Sequence, residues 1–210
     1  MRNGEEAAQW MVVPVVGSTP GRRYGHSMVF SKPHLIVFGG CSAEVLNDVW
    51  CLSVEKAPFS WVKLDCGSSQ PGPRTYHSAA LCTTGSATGM MVVFGGRTAD
   101  HSTVSDTWGL RRHRDGRWDW VKAPEKGTEQ PTPRFQHETL FLGPLMLVFG
   151  GRTSRPDETV ALEVYDTEAS DWHKFSAPQR FRTAAWTIGE SLYIHGGFAN
   201  GTPNVPLGST

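Results

Sequence analysis

Three histidines and four arginines recur at fixed spacing, and they are the side chains with the most chemical potential in the chain. They read Arg23-Tyr24-Gly25-His26, Arg74-Thr75-Tyr76-His77 and Arg134-Phe135-Gln136-His137, with a fourth copy, Arg180-Phe181-Arg182-Thr183, in which the histidine is lost. Two chemistries come to mind. One histidine per copy could suggest metal binding, but equivalent side chains of separate units do not converge, and zinc needs its nitrogens at ~2.0–2.1 Å from one ion. A buried imidazole bonded to neighbouring backbone is the better reading. The arginines leave two readings open. They either bond carbonyls of an adjacent unit, or form a ring of guanidiniums suited to forked capture of carboxylate or phosphate. Ser, His and Asp are plentiful, but no Gly-x-Ser-x-Gly elbow is present, so no nucleophile is assigned.

The elements that must position these residues are set by four glycine doublets, each closing an apolar run. They are Gly39-Gly40 after Leu35-Ile36-Val37-Phe38, Gly95-Gly96 after Met91-Val92-Val93-Phe94, Gly150-Gly151 after Met146-Leu147-Val148-Phe149, and Gly196-Gly197 after Leu192-Tyr193-Ile194-His195. Self-similarity at such intervals means stacked supersecondary units. Beyond each doublet comes a polar loop, then an aromatic (Trp50, Trp108, Tyr165), then a Trp-led run (Trp61, Trp120, Trp172). The runs are short, rich in Val, Ile, Phe and Trp, and bounded by Gly, Pro, Ser and Asp, which reads as strand. The predicted unit has four strands: an Arg/His strand a, a Gly-Gly strand b, an aromatic strand c and a Trp strand d. The a–b connection varies in length, as a hairpin tip does. The repeating tryptophans read as packing between units, and the doublets as places where a side chain would clash or φ is positive.

Composition narrows the function classes. Twenty basic and twenty acidic side chains leave the chain near neutrality, which argues against nucleic acid or an anionic membrane as a charge-driven partner. The basic run Arg111–Arg117 reads as a c–d hairpin turning at Asp115-Gly116 with solvated charges. No apolar run approaches bilayer length, and residues 1–9, a flexible start, carry no apolar leader. Cys41, Cys51, Cys66 and Cys82 lack metal or disulfide spacing and read as reduced thiols of a cytosolic or nuclear protein.

The repeat resembles the kelch repeat over residues 10–197. The features that carry the resemblance are the Arg before strand a, the Gly-Gly, the aromatic of strand c and the Trp of strand d. More closely, Trp108–Trp120 followed by Pro131–His137, and Arg180–Ala184, resemble the kelch region of the kelch-containing serine/threonine phosphatases of plants and alveolates. This resemblance implies an all-β partial propeller of radially arranged sheets, from a ring of six. Blades fall at about 23–64, 74–122 and 134–175, with strands a and b of a fourth at 180–197. Residues Trp10–Val16 are expected as strand d of a preceding blade, and 198–210 as loop or tail. A four-bladed closure would need Asn204–Leu207 as strand c, where Pro206 is a poor ladder member.

In those phosphatases the propeller precedes a catalytic domain with two divalent metal ions. Its motifs (Gly-Asp-x-His-Gly, Gly-Asp-x-Val-Asp-Arg-Gly, Gly-Asn-His-Glu) do not occur in these 210 residues. The implied function is therefore protein recognition without catalysis, metal or cofactor, as the regulatory part of such a phosphatase. The alternative is a substrate-receptor or scaffold propeller of another complex, such as a ubiquitin-ligase adaptor. In a kelch blade the d–a and b–c loops open on one face. The expected site for an acidic or phosphorylated peptide thus comprises Arg23, Tyr24, Arg74, Tyr76, Arg134, Phe135, Arg180 and Arg182 from d–a loops, with Arg97, Arg152 and Arg155 from b–c loops.

Overall fold

The computed structural model describes residues 11–155, 158 and 160–199. Every regular element among them is a strand. The first is β1 (Val15–Val16). Blade one holds β2 (Ser27–Ser31), β3 (His34–Cys41), β4 (Val45–Ser53) and β5 (Phe59–Lys63). Blade two holds β6 (Ser78–Leu81), β7 (Met91–Arg97), β8 (Thr103–Arg112) and β9 (Trp118–Lys122). Blade three holds β10 (Glu138–Leu142), β11 (Leu145–Phe149), β12 (Leu162–Asp166) and β13 (Asp171–Phe175). A two-stranded unit, β14 (Ala184–Ile188) and β15 (Ser191–His195), completes the described chain. Each blade is an antiparallel meander in chain order, as short alternating runs joined by tight turns require. The first strands β2, β6, β10 and β14 lie next to one another, so they form the inner wall and the Trp-led strands the outer one.

The expectation for Trp10–Val16 is corrected. Trp10 lies outside the described residues. Val15–Val16 pairs parallel with Phe59 and Ser60, making a fifth strand on the outer edge of blade one. The unpaired ladder of β5 attracts the segment, and Pro14, which has no N–H to donate, limits its length. Asn204–Leu207 lies outside the described residues.

Neighbouring blades meet through apolar faces. Ile36, Phe38 and Val49 of blade one pack on Met91, Val93, Leu110 and Trp120 of blade two. Val92 and Phe94 of blade two pack on Met146, Val148, Tyr165 and Trp172 of blade three. Trp120 stands edge-on to Phe38 at 4.9 Å, and Trp172 lies 5.2 Å from Phe94. Trp61, on blade one, is only half-buried. Trp50 and Trp108 do a different job: each indole N–H donates at 2.6 Å to the carboxylate two residues earlier, Asp48 or Asp106.

Strand c of blade three runs in a different register from the one its sequence suggests. Tyr165 opposes Met146 and Trp172, as Leu110 opposes Met91 and Trp120. Glu163 therefore takes the ladder place of Trp108, opposite Val148.

The doublets are explained by close approach. Gly95 has φ +61°, and a Cβ there would sit 2.8 Å from the Arg134 carbonyl oxygen of the next blade. The second glycine N–H then donates to that same carbonyl: Gly40 to Arg74, Gly96 to Arg134 and Gly151 to Arg180, at 2.8–2.9 Å. Gly95→Ala is expected to destabilise by about 2–3 kcal/mol, combining left-handed backbone strain with a backbone clash. Urea denaturation measures it, and a loss under ~0.5 kcal/mol would contradict the packing role.

Candidate functional site: an arginine–aromatic face

The Arg-x-x-His loops are held by a backbone relay around the inner end of the blades. The third residue of each loop has left-handed φ: Gly25 +62°, Tyr76 +56°, Gln136 +58° and Arg182 +55°. That turn aims each N–H at the carbonyl of the equivalent residue one blade back. Tyr76 donates to Gly25 at 2.7 Å, Gln136 to Tyr76 at 2.9 Å and Arg182 to Gln136 at 3.0 Å. The second residue of each loop bridges to the residue after the doublet: Tyr24 with Cys41, Thr75 with Arg97, Phe135 with Arg152 and Phe181 with Phe198. These bridges put the d–a and b–c loops on one face.

The first arginines of the loops are not on that face, which corrects the peptide-binding assignment of Arg23, Arg74 and Arg134. Their guanidiniums turn inward. Arg23 makes a forked pair with Asp48 (2.7 and 3.1 Å) and Arg74 with Asp106 (2.7 and 2.9 Å). Arg134 meets Glu163 at 2.8 Å with both side chains fully buried. Each also donates to the carbonyl of the first doublet glycine, Gly39, Gly95 or Gly150, at 3.0–3.1 Å. The guanidinium wins this place because it satisfies several buried acceptors at once. The Arg23 guanidinium and the Trp50 indole hold the Asp48 carboxyl below its ordinary value despite its burial, and Arg74 and Trp108 do the same for Asp106. Arg180 likewise donates to the Gly196 and Gly197 carbonyls. The acids are the residues that sequence reasoning missed. A carboxylate two residues before the strand-c aromatic recurs in every full blade, and that signal was available.

Two of the repeat histidines, His77 and His137, are packing groups. His77 is buried edge-on against Phe38 of the preceding blade, with its Nε2 2.8 Å from Ser27 Oγ. Burial, aided by Arg74 and His26, pushes its pKa down to about 3. His137 is buried against Phe94 and lowered well below its ordinary value, again mainly by burial. His26 is exposed. No cluster of three or more His, Cys, Asp or Glu with metal-binding geometry occurs among the described residues.

The remaining candidates do come together. Arg97, Arg152 and Arg182 surround a concavity of about 410 Å³ whose wall includes Tyr76, Phe135 and Gln136. Arg97 lies over the Phe135 ring at 5.5 Å, and Arg152 over the Phe181 ring at 4.9 Å, so guanidiniums and rings alternate from blade to blade. Tyr24, 6.0 Å from Tyr76, extends the aromatic row towards blade one. Arg182 donates to the Gln136 side-chain oxygen at 2.9 and 3.0 Å. Arg155 sits apart, in a neighbouring concavity with Asp100 and Glu158. None of Arg97, Arg152, Arg155 and Arg182 pairs with a carboxylate among the described residues. In the basic hairpin, in contrast, two of the four arginines are paired: Arg111 with Asp119 and Arg117 with Asp115.

The comparisons agree with this architecture. A family model described as the KLHDC2/KLHL20/DRC7 Kelch-repeats domain matches residues 5–197. The chain belongs to the kelch-repeat family. It is 30% identical over 225 residues to the serine/threonine-protein phosphatase BSL2 of Arabidopsis thaliana, covering 94% of this chain and 21% of that protein. An F-box/kelch-repeat protein of the same plant is 29% identical over 93% of this chain and 44% of its own length. Dynein regulatory complex subunit 7 of Chlamydomonas reinhardtii is 31% identical over 61% of this chain and 11% of its own length. The chain thus spans less than half the length of each of these relatives.

Proposed function

We propose that this kelch-repeat chain is a protein-recognition module that takes an acidic or phosphorylated peptide segment on its arginine–aromatic face. The observation that carries the reading is the set of Arg97, Arg152 and Arg182 beside Tyr76, Phe135 and Phe181, without carboxylate partners among the described residues. A guanidinium stacked on a ring, as those of Arg97 and Arg152 are, loses less freedom on binding and can still present N–H groups to a carboxylate or phosphate, while Arg182 is already oriented by Gln136. We assign the module to the regulatory region of a serine/threonine phosphatase of the cytoplasm or nucleus. The BSL2 likeness supports that assignment, with catalysis and its two metal ions supplied by a separate domain. The F-box/kelch likeness favours a second reading, a substrate receptor in another complex, which would use the same face.

The test is a titration with acidic peptides in phosphorylated and unphosphorylated form. The double change Arg97→Ala plus Arg152→Ala is expected to weaken binding by about 2 kcal/mol or more. Stability should change by under ~1 kcal/mol, because neither side chain is buried. Unchanged affinity, or lost folding in place of lost binding, refutes the placement.

A further inference from the structure

Blade two departs from the repeat at one place, and a cleft results. In blade one the face towards blade two carries Val49 opposite Phe38, Cys51 opposite Ile36, and Leu64, whose N–H donates to the Val49 carbonyl. In blade two the same ladder positions hold Thr107 opposite Phe94, Gly109 opposite Val92, and Ala123, whose N–H donates to the Thr107 carbonyl. Each exchange removes side-chain volume or adds a polar atom. The outer end follows the same trend. His34 of blade one stands edge-on to Trp118 of blade two at 6.0 Å. One blade on, the corresponding residues are Met90 and Ser170.

Between blades two and three these exchanges leave a cleft of about 310 Å³, lined mainly by Ala87, Met90, Val92, Val121, Ala123 and Tyr165. Tyr165, larger than Leu110 at the equivalent position, fills part of the space and is anchored by its hydroxyl donating to the Pro124 carbonyl at 2.5 Å. Thr107 is 1% exposed and belongs to the wall, and its hydroxyl has no hydrogen-bond partner. Thr107 therefore brings one unpaired polar atom to the wall of an otherwise largely apolar cleft. The tip that follows β6 roofs the cleft. Ser86 donates its N–H to Glu168 Oε1 at 2.6 Å and its hydroxyl to the Thr167 carbonyl at 2.9 Å, latching blade two to blade three. The a–b and c–d turns put this cleft at the opposite end of the strands from the arginine face.

We propose that this cleft binds a small, largely apolar molecule of about two fused rings carrying one hydrogen-bonding group. An engineered apolar cavity of about 150 Å³ takes a benzene, and this space is about twice that. The apolar lining supplies the affinity, and the Thr107 hydroxyl rewards one polar atom on the ligand. The Ser86 latch across its mouth favours a free small molecule over a side chain that must enter attached to a partner's backbone.

The test uses 2-naphthol as the probe, titrated into the full chain with methyl-labelled Met, Val and Ala observed by NMR. Saturable shifts confined to Ala87, Met90, Val92, Val121 and Ala123 are expected. Ala123→Leu, which restores the blade-one residue, should weaken binding at least tenfold. Thr107→Val, nearly isosteric, should weaken it about three- to tenfold and keeps the test open if the leucine disturbs folding. The inference is overturned by absence of saturable shifts up to the solubility limit, or by unweakened affinity in both variants. It is also overturned if a tryptophan-bearing tripeptide shifts these methyls while 2-naphthol does not, since the cleft would then take a partner's anchor residue.

Discussion

Removing the Glu163 carboxylate by Glu163→Ala is expected to destabilise the chain by about 3–5 kcal/mol, the range for breaking a buried ion pair from one side. Both partners are fully buried. Glu163 also accepts from the Thr132 N–H at 2.9 Å and the Thr132 hydroxyl at 2.7 Å, and Lys174 approaches it at 3.5 Å. Without the carboxylate, the Arg134 guanidinium keeps carbonyl partners at Thr132, Gly150 and Ala161 and loses the one carboxylate in contact with it. Two comparisons separate this from a generic surface effect. Breaking the Arg111–Asp119 pair, whose side chains are 43% and 37% exposed, should cost less than ~1 kcal/mol. Replacing both buried partners, Arg134→Met with Glu163→Leu, should recover most of the loss, because the desolvation of both charges disappears together. Urea denaturation of the set gives the values. Equal costs for the buried and exposed pairs would show that Arg134 is not held as described.

Acid should unfold this chain earlier than its carboxylates alone would, and the buried histidines are the cause. His77 is held neutral in the fold, with its pKa down at about 3, while in the unfolded chain it titrates near 6.5. Between those values the unfolded state binds more protons, so stability is full above pH ~6.5 and falls as pH drops towards 3. From pH 6.5 to 4.5 one such group loses about 2–3 kcal/mol, and a second adds to the loss in the same direction. His137, lowered by burial and by Arg134 and His77, is the second. Glu138 works in the opposite direction. Its carboxyl is raised to about 7 by burial, so its ionisation weakens the fold as pH rises from about 4.5 to 7. It is partly exposed, and the offset is correspondingly reduced. Asp48 and Asp106, lowered by their partners, contribute only below the ordinary carboxylate range. Denaturation across pH 7.5 to 4.5 should show a net loss, and His77→Gln should make its slope shallower. A flat profile, or an unchanged slope in the variant, would contradict the neutral buried state.

Much of the fold was legible because it is written several times over. Alternation, doublets and turn residues recur from blade to blade, so the four-strand meander and its order could be read without coordinates. The face that gathers Arg97, Arg152 and Arg182 was legible for the same reason, since loops that close equivalent turns emerge together. Three things were not. The repeat arginines looked alike whether they faced solvent or carbonyls. Their fate depends on Asp48, Asp106 and Glu163 arriving from strand c, 25 to 32 residues away. The register of β12 is hidden because Glu163-Val164-Tyr165 imitates Asp48-Val49-Trp50. The longer glutamate reaches Arg134 from the ladder place that Trp108 holds in blade two. The N-terminal segment reads as part of a separate blade, but the nearest unpaired edge is that of β5 in blade one.

By itself, then, the sequence determined the unit: local propensity, the period-two apolar pattern and left-handed glycines act within about ten residues and need no partner. Tertiary structure decided which charges are spent inside and which remain outside, because an ion pair forms only where two strands bring opposite charges within ~4 Å. It also decided where space is left over. Thr107, Gly109 and Ala123 are unremarkable along the chain, and they become one cleft only when blade three closes over them.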